Sequence, residues 1–503
     1  MISIYTTNDH LEQLQSWIAE EFRLGELVKV VDLLEERPVS SGLNLLVRKR
    51  EVNVLLDWYN QTPPYLLPRP IKLNRENFLG LVYANLGNLD RSHELLAATN
   101  ASLWQEISLI NKLRNGLSVG PEELAIAYSP FDDYRLMHNQ AIVRHYAATE
   151  ETFDLEKLQY FYQEAIQTAP DDEHRAFSVG QYATLLTDLG QAQAAIDLLL
   201  PAIDQALSQE AKTELRRTLS SVWMGQLSPP YDAELLQQLK STLWEVLQTY
   251  EEQDRPLETG LLLLDAAQVA MFDESFSEAL GYISRAIGIF EEEAIAELVG
   301  NAQHRRGLLL YTWAQHDNPQ FYRPAAESFQ EALKVFTRDT APEVFAEIQQ
   351  YLGIIYSAIP DEAKKKSIWA AVSSSAFQEA LSFYTAEMHP YEYAKVCSHY
   401  GNALTKYPAA LHTDNFEKAL FYYQCALEIR TSAGFPLERA ITLLNYLEAA
   451  WHKELPEDSF DEAHYQDMLS KANEVAQLTD DPTLLADAQV HLKKLNELKA
   501  AYA

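Results

Sequence analysis

A triplet of small, large and small residues, spaced four and then three positions apart, recurs through the second half of this 503-residue chain. It reads Ala279, Ile283, Ala286; then Ala325, Phe329, Ala332; then Ser373, Phe377, Ala380; then Ala419, Tyr423, Ala426. The closing alanines are 46, 48 and 46 residues apart. Offsets of four and three place each triplet on one face of a helix. A fixed period with matched residues demands like units stacked on one another, because one such unit alone cannot bury its apolar face.

A second signal marks the helix before each triplet. Pro342, Pro390 and Pro436 are each followed within two positions by Glu343, Glu392 or Glu438. Proline suits a helix's first turn, where its missing N–H would have no intrahelical partner, and a carboxylate there meets the positive end of the helix dipole. Eleven residues after the first two prolines stand Gly353 and Gly401, with Gly307 one period earlier. A mid-helix glycine costs about 1 kcal/mol relative to alanine, so three in register predict close approach of a neighbouring helix. The same pattern runs with a shorter period through the first half, in Gly80, Ser92 and Leu96, in Tyr162 and Ala165, and in Ala195, Leu199 and Ala202.

These patterns resemble tetratricopeptide repeats, whose unit is two antiparallel helices with small residues at their contacts. Residues 389–444 also resemble the long-period repeats of bacterial proteins of this kind, including those attached to caspase-like CHAT protease domains. The resemblance covers about 150–203 and 256–450, with one further unit at 73–97. It implies an all-α fold, a right-handed superhelix or α-solenoid of antiparallel helix pairs. The expected organisation is an N-terminal helical cap over 1–70, irregular repeats over 71–250, regular long repeats over 251–480 and a capping helix over 481–503. The extra residues of the long units, at 315–324, 360–369, 407–415 and 452–459, fall at one point of the repeat and are expected to project from one edge. The run Lys364, Lys365 and Lys366 reads as a solvated loop.

Composition narrows the function. The formal net charge is −33, and so acidic a surface repels phosphate backbones and anionic lipid, which argues against nucleic-acid and membrane partners. Two cysteines, Cys397 and Cys425, fit buried packing thiols in a reducing cytoplasm better than a disulfide framework. The N-terminus lacks the basic and apolar segments of a signal peptide, and no run is long and apolar enough to span a bilayer. His304, His389, His399 and His412 lack metal-ligand spacing, and no phosphate-binding, zinc-protease or nucleophile-elbow motif occurs, so neither cofactor nor enzymatic activity is expected. In the tetratricopeptide family the first helices line a concave groove. That resemblance places His304, Tyr311, Gln350, Lys395, Ser398, Asn402 and Lys406 there, alongside Asn301 and Ser357. Lys395, Asn402 and Lys406 resemble part of a carboxylate clamp, although neighbouring units do not repeat it. The expected function is a non-catalytic protein-interaction scaffold or adaptor, a regulatory partner of a separate effector; the alternative is a sensor binding a peptide or small ligand in the groove.

Overall fold

The computed structural model describes residues 2–39, 42–59, 64–121, 123, 131–150, 153–409, 414–452 and 460–502. The chain forms two compact units, Met1–Gln253 and Asp254–Ala503.

The first unit opens with a sheet, which corrects the expected helical cap. Strands β1 (Ile2–Thr6), β2 (Val28–Asp32), β3 (Leu45–Arg48), β4 (Glu51–Val54) and β5 (Ile71–Lys72) lie in the order β2-β1-β3-β4-β5. Helix α1 (Asn8–Ala19) links β1 to β2, which pair in parallel, Ile4 opposite Val30. β1 also runs parallel to β3, while β3–β4 and β4–β5 are antiparallel. The reason is in the residues: VKVVD, LLVR and EVNV are short runs rich in valine, which favours a pleated, half-buried surface over a helix. Ile4, Leu14, Leu45 and Val52 form a core with Phe78, Leu79 and Leu96 of the helices that follow.

Those helices are α2 (Arg75–Asn85), α3 (Leu89–Leu96), α4 (Ala101–Arg114), α5 (Asp133–Tyr146), α6 (Leu155–Thr168), α7 (Asp172–Asp188), α8 (Ala192–Ile203), α9 (Gln209–Gly225) and α10 (Ala233–Glu252). The second unit contains α11 (Pro256–Phe272), α12 (Phe276–Glu292), α13 (Ala296–Gln315), α14 (Tyr322–Ala332), α15 (Pro342–Ala358), α16 (Ala363–Phe383), α17 (Pro390–Leu404), α18 (Asn415–Ile429), α19 (Pro436–Ala450), α20 (Glu462–Leu478) and α21 (Pro482–Ala501). Beyond the sheet of the first unit and throughout the second, consecutive helices pack mostly as pairs, the architecture of a helix-pair repeat. Prolines 342, 390 and 436 are the first residues of α15, α17 and α19, as expected, and Pro256 and Pro482 open α11 and α21 in the same way. Elsewhere side chains cap the starts: Asp171 accepts from the His174 N–H, and Ser208 from that of Ala211.

One contact explains both the triplets and the glycines. A Cβ on Gly307 would lie 2.8 Å from the Phe329 ring, on Gly353 2.9 Å from Phe377, and on Gly401 2.6 Å from Tyr423. In the last three triplets the large residue therefore lies over the glycine of the preceding helix, flanked by triplet positions that are all fully buried, whereas Ile283 of the first triplet meets no such glycine. Gly260 receives Phe290 at 2.5 Å in the same manner, and Gly80 receives Leu96. The small residue adds a polar tie: Ser373 Oγ donates to the Gly353 carbonyl at 2.5 Å, and Ser92 Oγ to that of Gly80 at 2.8 Å.

Two of the extra segments, 315–324 and 360–369, carry helical turns rather than open loops. Part of 315–324 forms a single turn at Pro319–Phe321 and the first residues of α14; the lysine run 364–366 lies in the first turn of α16, correcting the loop reading. Asp361 ties the two segments together, accepting from Arg323 at 2.6 Å and from Trp369 Nε1 at 3.1 Å. The Trp369 bond and its cationic neighbours Lys365 and Arg323 hold its carboxyl down to about 2. Positions 410–413 and 453–459 of the other two segments lie outside the described residues, as does His412.

Gly353→Ala is expected to lower the unfolding free energy of the second unit, read from its urea transition, by about 1–3 kcal/mol through overpacking against Phe377, although alanine is the better helix former by about 1 kcal/mol. Combining it with Phe377→Leu should cost less than the two single changes together, since the sites touch. Gly180 on α7 is the control: its added Cβ would meet only Leu215 at 3.4 Å, so Gly180→Ala should leave the first unit's midpoint unchanged or higher. Equal loss from both alanines would dissociate the glycines from the ring contacts.

Candidate partner-binding groove

Seven residues were expected to line the groove, and the structure separates them by helix register. His304, Gln350 and Ser398 each stand three residues before Gly307, Gly353 or Gly401. Residues three apart share a helix face, and the glycine's face is the one turned to the neighbouring helix. These three consequently point into the seam rather than the groove, which corrects their assignment. Gln350 is 2% and Ser398 4% exposed. The Gln350 Nε2 faces His399 Nδ1 at 3.2 Å. His304 packs on the Phe329 ring at 5.7 Å between centroids, its Nε2 3.8 Å from Glu347. Burial draws its pKa down against the pull of Glu347.

Tyr311 lies beside Tyr322 and edge-on to Tyr351 at 5.6 Å, and its hydroxyl accepts from Gln315 at 2.8 Å. Burial among these phenols pushes its pKa up to about 12. Lys395 is half-buried on α17, and Lys406 is exposed in the turn that follows it. Asn402, one residue after the glycine, accepts from the Tyr423 hydroxyl at 2.6 Å. The ring that seals the seam thus also fixes a groove amide.

Asn402 and Lys406 come together in a cavity of about 590 Å³ with Thr405, Phe416, Tyr423, Asn445, Glu448, Ala449 and His452. The His452 ring stacks on Phe416 at 4.8 Å, and Glu448 lies 3.9 Å from His491. Lys406 also borders a second cavity, of about 350 Å³, with Ser357, Lys366, Tyr407 and the stacked pair Tyr356–Trp369 at 5.6 Å. One cation therefore stands between two aromatic-floored hollows, bordered by residues of α15, α16, α17, α18 and α19. Such a surface offers hydrogen bonds and a positive charge beside apolar area, the chemistry of peptide recognition. Asn445, Glu448 and His452 escaped sequence reasoning because Leu447 stands where α19 would carry the register glycine.

Redox and metal chemistry gain no support at this end of the chain. Cys397 is buried and its thiol pushed up to about 12 by burial, leaving almost no thiolate at neutral pH. Among the described residues no group of three or more His, Cys, Asp or Glu stands together as metal ligands would, and no helix is long and apolar enough to cross a membrane.

No family model matches the chain, and no curated protein matches it. Solved structures do. A signal-transduction ATPase with a tetratricopeptide repeat sensor from Pyrococcus horikoshii is 15% identical with a TM-score of 0.49, over 82% of this chain and 62% of its own, so this chain spans less than two thirds of that protein. The apo form of the quorum sensor NprR from B. thuringiensis is 14% identical with a TM-score of 0.41, over 69% of this chain and 94% of its own. Human IFIT1, as a dimer with m7Gppp-AAAA, is 12% identical with a TM-score of 0.38, over 85% and 90%.

The half-buried His399 supplies a pH test of the seam. Burial first, then Lys395 and Arg430, push its pKa from 6.5 to about 4. The unfolded chain then binds the proton first, so stability present above pH 6.5 is lost as pH falls towards 4. The second unit's denaturation midpoint is expected to fall across that window, and less steeply in His399→Gln, as a series of urea titrations would show. Identical slopes would mean that His399 is solvated.

Proposed function

We propose that this chain is a non-catalytic scaffold or adaptor that holds a protein partner in the groove of its second unit, as the regulatory component of a separately encoded effector. The observation that supports this reading is the placement of Lys406 between two aromatic-floored cavities, with Asn402, Asn445 and Glu448 around it. An extended polypeptide seated there finds a carboxylate partner in Lys406, amide partners in the two asparagines and apolar shelves on Phe416 and Trp369. The charge of −33 favours a protein or peptide occupant over a phosphate backbone. Two free cysteines, one of them buried, suit a reducing cytoplasm.

The test compares affinity purifications from the native cell with the wild-type chain, Lys406→Glu combined with Asn445→Ala, and Glu417→Ala combined with Glu428→Ala, the last two being exposed residues of α18. A protein recovered in near-equal amount with the wild type should fall at least roughly tenfold with the groove variant, because hot-spot truncation costs about 2 kcal/mol or more. It should be unchanged with the α18 variant. Loss with the α18 pair alone would move the interface off the groove.

A further inference from the structure

The first unit contains a cavity of about 540 Å³ that sequence reasoning did not find and that has no part in the groove just described. It is bounded by alternate helices, with Ile142 and Tyr146 from α5, residues 177–184 from α7 and residues 214–218 from α9, closed by Trp58 and by Leu113 and Arg114 at the end of α4. Its floor is apolar: Ile142, Phe177 and Leu215 are buried, and Trp58 stands edge-on to Phe177 at 5.1 Å with its indole N–H spent on Glu173 at 3.0 Å.

The polar groups at its rim have a definite sense. Tyr146 donates to Gln181 Oε1 at 2.7 Å, which turns the Gln181 amide N–H groups outward as donors. Thr184 and Thr218 donate to the carbonyls of Gly180 and Glu214 in their own helices, at 3.1 and 3.0 Å, which leaves their oxygens as acceptors. Two guanidiniums border the site, Arg114 exposed and Arg217 half-exposed, while Glu214 is the one carboxylate among the lining residues. Glu214 is already bound on both oxygens, by Arg217 at 2.8 Å and by the Tyr250 hydroxyl at 2.6 Å. The lining thus carries one net positive charge in a chain of −33.

Gly180 keeps one wall of the cavity open. At Gly260, Gly307, Gly353 and Gly401 a Cβ would strike a ring at under 3.0 Å, whereas at Gly180 it would meet only Leu215 at 3.4 Å. Helix packing does not require this mid-helix glycine, which lowers helix stability by about 1 kcal/mol. Its open side faces the cavity, and glycine is the residue that lets a ligand approach the backbone closely.

We propose that this cavity binds an apolar monocarboxylate, its carboxylate held by Arg114 and Arg217 and its body laid on Trp58, Ile142, Phe177 and Leu215. The net charge matches one anion and not a polyphosphate, and the volume lies in the range that small-ligand sites occupy. A free small acid and the C-terminal end of a peptide share this chemistry.

Isothermal titration of the full chain tests it with three probes: acetyl-Leu-Phe with a free carboxylate, the same dipeptide as its C-terminal amide, and 3-phenylpropionate. The free acid should bind saturably, and amidation should weaken it at least tenfold, as should Arg114→Gln, an exposed position that leaves folding intact. Gly180→Leu should abolish binding without lowering the melting temperature. Tighter binding of the dipeptide than of 3-phenylpropionate assigns the site to a peptide end, through N–H groups met by Thr184 and Thr218; the reverse order assigns it to a free small acid. Equal binding of acid and amide, indifference to Arg114→Gln, or no saturable heat from any probe at millimolar concentration would overturn the proposal. None of these results depends on the second unit's groove.

Discussion

An aromatic ring lying flat over a glycine is the contact on which the second unit depends. With no Cβ at Gly307, Gly353 or Gly401, the first helix of each pair admits Phe329, Phe377 or Tyr423 against its backbone. That contact removes a large apolar side chain from water and sets how near the two helices approach. It also sets rotation about the helix axis. Once the glycine faces the seam, residues three positions earlier must share that seam, and residues one and five positions later turn towards the open side. His304, Gln350 and Ser398 go inward for this reason, while Asn402 and Lys406 reach a cavity.

Charge is arranged around this frame rather than within it. Exposed pairs such as Arg338 with Glu379 contribute little each. Arg439 is a firmer tie: it bonds Glu474 at 2.5 Å and the carbonyls of Leu427 and Arg430 at 2.8 Å, so that one guanidinium spans α18, α19 and α20. Against so acidic a background, the cations placed at cavity mouths are the groups that an acidic partner or ligand would meet first. Lys406 in the second unit and Arg114 in the first hold such positions.

The repeat was legible because glycine, ring and proline each leave a residue-type mark at fixed spacing, and those marks record one contact made several times over. The groove was legible only in part. The resemblance placed both Ser398 and Asn402 in the groove, but Ser398 is buried while Asn402, four residues on, borders a cavity, and without the glycine–ring geometry the two read alike. Asn445, Glu448 and His452 follow a repeat whose glycine is replaced by Leu447, so nothing in the sequence fixed their register. The N-terminal sheet was lost for a different reason. Its strands are two to five residues long, too short for alternation to stand out beside a helix period sought over longer windows. The cavity of the first unit unites Trp58, Arg114, Gly180 and Arg217 across a wide span of sequence, and no motif joins them.

The central claim is that each ring–glycine contact stabilises its own helix pair and the next, as in a linear stack with neighbour-only coupling. Hydrogen–deuterium exchange on Phe377→Ala, read peptide by peptide by mass spectrometry, tests this most directly. The account predicts lost amide protection in α15 and α16, a smaller loss in α14 and α17, and no change in α20 and α21. Uniform loss across the whole second unit, or unchanged protection in α15 and α16, would contradict it.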